Sequence, residues 1–127
     1  MTWPEKELLY ADFVQKLGAY ADEMVALLSA HGEENWTRIY ARFGDDIRRA
    51  KTDKARQKAI QEIESIYGGM GSWNDFYLQA LGEAESKRTS LSTAISHQCS
   101  ALSDLMAQPP YPPKTGLWQS FLRYLGT

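Results

Sequence analysis

Residues 1–32 read MTWPEKELLYADFVQKLGAYADEMVALLSAHG, and their periodicity decides the fold class. Leu9, Phe13, Leu17, Tyr20, Met24 and Leu27 or Leu28 recur at steps of three and four, the spacing that lines one face of an α-helix. The stretch predicts a helix of about seven turns. Thr2 is placed to cap it, Pro4 fits a first turn whose N–H groups lack partners, and Glu5 and Glu7 suit the positive end of the dipole. His31 and Gly32 read as its end.

The same spacing continues outward. Trp36, Ile39 or Tyr40, Phe43, Ile47 and Ala50 predict a second helix with Asn35 as its cap, although Gly44 interrupts it. Thr52 either caps a third helix or marks a bend in the second, and Ala55, Ala59 or Ile60, Ile63 and Ile66 or Tyr67 carry the pattern on. Gly68, Gly69 and Gly71 must stop it, and with Ser72 they form a structural turn. Residues 72–81 read as an ordered loop or short extended piece. A further helix is expected over 83–107, with Leu91, Ile95, Gln98 or Cys99, Leu102 and Leu105 or Met106 inward. Pro109, Pro110, Pro112 and Pro113 make a stiff connector over 109–114, and Leu117, Trp118, Phe121, Leu122 and Leu125 give a short terminal helix over 115–125 an apolar stripe that needs docking. The expectation is a single all-α domain over 1–127, an up-and-down bundle of four longer helices plus a short C-terminal one.

At 127 residues, 43% of them hydrophobic, a core can form without disulfides or metal, and the lone Cys99 has no partner for an internal bridge. No run approaches the length of a membrane span and the N-terminus does not read as a secretory signal, so a cytoplasmic protein is expected ahead of a periplasmic one, without a membrane partner. Net charge is only −2. That total hides a segregation. Glu5, Glu7, Asp12, Asp22, Glu23, Glu33 and Glu34 face only Lys6 and Lys16 in the first 34 residues, whereas residues 38–58 hold eight bases and three acids. Arg48, Arg49, Lys51, Lys54, Arg56 and Lys58 are the densest basic stretch. A solvated face complementary to the acidic first helix is the leading reading of it, ahead of contact with an acidic protein or with nucleic acid, since no aromatic is interleaved for base stacking.

Chemistry-bearing constellations are scarce in the text. His97 and Cys99 are two apart on a helix, roughly 200° around its axis, and cannot close on one ion. No Glu-x-x-His pair marks a di-metal bundle. Cys99 sits in an apolar stripe and reads as a core thiol. Neither a metal nor a cofactor is expected, and no catalytic residue is assigned. Ser86, Thr89, Ser90, Ser92, Thr93, Ser96, Ser100 and Ser103 give the fourth helix a dense row of hydroxyls, read as an exposed polar face or as a surface that another chain approaches closely.

The most unusual text is Ile66-Tyr67-Gly68-Gly69-Met70-Gly71-Ser72-Trp73-Asn74-Asp75. A glycine turn can present N–H groups to phosphate, but no Lys or Arg lies between Lys58 and Lys87. A turn fixing two helices is preferred, then a partner-binding loop with Trp73, Phe76 and Tyr77 as buried anchors. Over these ten residues the chain resembles a family of small bacterial helical proteins that share a Tyr-Gly-Gly-Met-Gly-Ser-aromatic-Asn-Asp turn between helices. The resemblance carries no assigned catalytic residues. It implies a bacterial cytoplasmic protein similar to the immunity proteins of toxin–immunity loci, which neutralise a cognate toxin by covering it. The functional expectation is therefore a non-enzymatic protein that binds a toxin through Trp73, Asn74, Asp75 and Tyr77, steered by Asp12, Asp22, Glu23, Glu33 and Glu34. The alternative is a small nucleic-acid-binding or regulatory module using residues 48–58.

Overall fold

The Thr2 hydroxyl accepts from Glu5 N at 3.2 Å and the Glu5 carboxylate accepts from Thr2 N at 3.0 Å, a reciprocal capping box that starts α1 (Trp3–Ala30) with Pro4 in its first turn. The computed structural model describes residues 2–67, 73, 76, 78 and 82–108. α1 ends where Gly32 takes φ of +72°, a left-handed conformation that glycine adopts without steric cost, and Glu33 N returns to Leu28 O at 3.0 Å. α2 (Glu34–Arg49) begins at Glu33, ahead of the expected Asn35, and no side chain caps it. Asn35 instead accepts from Arg38 at 3.4 Å.

Thr52 caps a separate third helix, α3 (Asp53–Glu64), by accepting from Ala55 N at 3.1 Å. Of the two readings of Thr52, a new helix or a bend in the second, the new helix is the one that forms. α3 stops at Glu64, so Ile66 and Tyr67 come after the helix rather than extend it. α4 runs Gly82–Ala107, within one residue of expectation. Among the described residues the protein is all-α, with four helices and no strand. The structural turn of Gly68, Gly69, Gly71 and Ser72, the connector 109–114 and the terminal helix 115–125 lie outside the described residues.

α1 packs on α2 and α4, α2 on α3, and α3 on α4, so the helices enclose one apolar centre. Leu17, Met24, Leu28, Tyr40, Ile47, Ile60, Ile95 and Leu102 fill it, and Cys99 lies among them as expected. The stripe of α1 is shifted from the sequence reading. Tyr10 and Lys6 turn inward, whereas Leu9 is 40% and Leu8 72% exposed. Lys6 can lie there because its ammonium donates to Gln108 O at the end of α4 and sits 5.6 Å and 5.7 Å from the Trp3 and Tyr10 ring centres. Close approach of α1 and α2 is set at Gly44, where a Cβ would lie 3.2 Å from Ala21 Cβ, while one on Gly18 would meet the Arg48 guanidinium at 2.7 Å.

Candidate functional site

Trp73 is 1% exposed and packs within the chain. Its ring meets Trp36 and Tyr40 edge-on at 5.0 Å and 4.9 Å and stacks on Phe76 at 5.3 Å. Trp73 N donates to Ile66 O at 2.9 Å, and Nε1 donates to Ser92 Oγ at 2.9 Å. Ser92 Oγ also lies 3.0 Å from the Tyr67 hydroxyl. The Tyr40 hydroxyl faces those of Tyr67 and Ser92 without a hydrogen bond of good geometry to either, and burial pushes its phenol well above the ordinary tyrosine range, with Tyr67 adding to the rise.

Arg88 closes this knot from α4. Its Nε donates to both oxygens of Glu85, at 2.6 Å and 2.8 Å, while the guanidinium lies 4.7 Å from the Trp73 ring centre and 5.3 Å from that of Phe76. Glu85 Oε1 accepts from Leu78 N at 3.3 Å as well. One ion pair therefore holds the rings of 73 and 76 and the backbone of 78 against α4. Beside it runs a groove of about 310 Å³ lined by Tyr67, Trp73, Arg88 and the α4 residues Thr89, Ser92 and Thr93. The groups that touch Ser92 Oγ are an indole N–H and a phenol hydroxyl, which hold its position.

The expected steering acids are not gathered in one place. Asp12 pairs with Lys16 at 2.9 Å. Asp22 receives both Arg48 Nη atoms, at 3.0 Å and 2.6 Å, and the guanidinium holds its carboxyl below the usual range. Glu33 starts α2, and Glu23 and Glu34 are exposed. From Asp12 to the end of α1 the helix rises roughly 27 Å, so Asp12 lies far from Glu33 and Glu34. Asn74, Asp75 and Tyr77 lie outside the described residues. Arg48 and Arg56 of the basic stretch are tied to Asp22 and Asp53, the latter at 3.0 Å, whereas Arg49, Lys51, Lys54 and Lys58 make no ion pair among the described residues.

Sequence reasoning missed Arg88 and Glu85 as the clamp and saw Ser92 only as one of a row of hydroxyls. Their signal was the three-residue spacing of opposite charges on one helix, which is common on exposed faces. Among the described residues no three His, Cys, Asp or Glu side chains gather to hold a metal, and no helix is long and apolar enough to cross a membrane. No curated protein and no solved structure matches the chain. Residues 29–86 are similar to a domain of unknown function, DUF6966, a stretch that contains α2, α3 and the aromatic residues of the knot but ends short of Arg88 and Ser92.

Proposed function

We propose that the chain is a non-enzymatic interaction protein of the immunity type, which binds and neutralises a cognate toxin. The observation that carries this reading is the division of charge along α2. Glu33 and Glu34 stand at one end, and Arg49, followed by Lys51 and Lys54, stands at the other, roughly 20 Å apart at the rise of an α-helix, with Arg48 already paired to Asp22. Two poles of opposite sign orient an approaching partner as well as attract it, and matched poles on that partner raise the association rate. Glu23, Glu33 and Glu34 are the steering acids of this reading, because Asp12 and Asp22 already hold cations of the chain itself. Trp73, 1% exposed, serves this reading through its packing within the chain rather than by touching the toxin.

Co-expression with the product of the neighbouring gene tests this. A stable complex and rescue of cells from that product are expected, with Glu33→Lys and Glu34→Lys together slowing association at low salt. Lack of both complex and rescue counts against the reading. Four basic side chains without ion pairs favour nucleic acid as the second reading. Retention on DNA or RNA should then fall steeply with salt and vanish with Lys51→Glu and Lys54→Glu, and lack of retention at low salt removes this reading.

A further inference from the structure

Leu8 and Leu9 are the large hydrophobic side chains that stand exposed among the described residues, at 72% and 40%, side by side on the second turn of α1. Gln108, just past the end of α4, is bound through its carbonyl by Lys6, two residues before Leu8. The chain therefore leaves the described structure at the first turns of α1, about 60° around the helix axis from Leu9 and about 200° from Leu8, with both leucines roughly 3–5 Å further along that axis. Beyond Gln108 the sequence runs through 109–114, with four prolines in six residues, to Leu117, Trp118, Phe121, Leu122 and Leu125 at the spacing of a single apolar stripe.

We propose that residues 115–125 of the same chain cover the Leu8–Leu9 face. Three arguments select this occupant. The six connecting residues span at most about 20 Å, which keeps the apolar stripe over the first turns of α1 and away from the far end of the molecule. A tether of this length holds the segment at an effective concentration on the order of millimolar, far above that of a second copy in dilute solution. Glu5 precedes the leucines by three and four residues, and Lys114 and Arg123 bring positive charge to it. This proposal stands apart from the toxin-binding reading and survives its failure.

The test uses the full chain. With leucine methyls labelled, contacts between Leu8 or Leu9 and the rings of Trp118 or Phe121 are expected by NMR, unchanged on dilution. Trypsin cleavage after Arg123 is expected to speed up about tenfold in the double variant Leu8→Glu, Leu9→Glu, because the covered site then opens freely. Circular dichroism checks that the variant keeps its helices; if it does not, the contacts in the unaltered chain decide alone. Absence of those contacts overturns the proposal, and so does cleavage after Arg123 at one rate in both folded proteins. Contacts that disappear on dilution, together with a dimer mass that the variant reduces to a monomer, overturn it in favour of a second copy.

Discussion

Trp73 Nε1 donates to Ser92 Oγ at 2.9 Å across 19 residues of sequence, joining the aromatic knot to the middle of α4. The indole is 1% exposed, so its N–H relies on this acceptor. Ser92→Ala leaves the indole N–H and the Tyr67 hydroxyl without their partner and should cost about 1–3 kcal/mol. Trp73→Ala also empties the space between Trp36, Tyr40 and Phe76 and should cost about 3–5 kcal/mol. Urea denaturation followed by far-ultraviolet circular dichroism measures both. A Ser92→Ala midpoint equal to that of the unaltered chain would show that this bond does not hold the segment.

The four helices are legible in the sequence because each is long, amphipathic and punctuated: Thr2 and Thr52 cap as read, and Gly32 ends α1. The inner face of α1 is not legible at its start. A hydropathy pattern assigns Leu9 inward and Lys6 outward, but the carbonyl of Gln108, 102 residues away, gives the ammonium a partner, and no local pattern contains that contact. The packing of Trp73 within the chain is not legible for the same reason. Its covering groups, Ser92 and Arg88, come from another helix, and only the packed chain brings them to it. Asn35 loses the cap of α2 because the turn through Gly32 and Glu33 starts that helix earlier.

Lys6 serves as a tie between the start of α1 and the end of α4, where no basic residue of α4 itself neutralises the last carbonyls. Lys6→Met keeps most of the side-chain volume and removes the charged donor. Loss of a hydrogen bond from a charged group predicts about 1.5–3 kcal/mol of destabilisation. Hydrogen exchange should show the effect concentrated in the last turns of α4, over residues 102–107. Protection lost evenly over all four helices would contradict a local tie.

Gly18 and Gly44 both face the α1–α2 contact, but what they meet differs. A Cβ at Gly44 would stand 3.2 Å from Ala21 Cβ, an atom fixed to backbone, so Gly44→Ala must push the helices apart and should destabilise by about 1–3 kcal/mol despite the gain in helix propensity. At Gly18 the obstacle is the Arg48 guanidinium, the far end of a flexible side chain, which can swing away. Gly18→Ala should be close to neutral in stability and should release Asp22. The Asp22 carboxyl, held below its ordinary 3.8 chiefly by the Arg48 hydrogen bond, would then return toward that value, as carboxylate titration by NMR can read. The stability this pair contributes is present above about pH 4 and lost as pH falls through the depressed value, so Gly18→Ala should flatten that acid limb. A Gly44→Ala variant as stable as Gly18→Ala would show that α1 and α2 are not held at this distance.

At alkaline pH three buried acids act together. Burial lifts the Cys99 thiol from 9.0 to about 12, with Glu64 adding to it. Burial also lifts the Tyr10 phenol from 10.0 to about 12, helped by Asp53 and opposed by Arg56, and lifts that of Tyr40 further. In the unfolded chain these groups lose their protons from about pH 9 or 10 upward, whereas the folded protein keeps them. The unfolded state thus binds fewer protons in that window, and stability must fall as pH rises from about 9 toward 12. Urea midpoints at a series of pH values should be level to about pH 8 and then decline. Tyr40→Phe removes one of the retained protons and should flatten the decline above pH 10 by up to roughly 1.4 kcal/mol per pH unit. Thiol reagents should label Cys99 at pH 8 only at the rate at which the protein opens, since the thiol is both covered and un-ionised. A midpoint that stays level to pH 11, or prompt labelling of Cys99 in the folded protein, would contradict the burial of these groups.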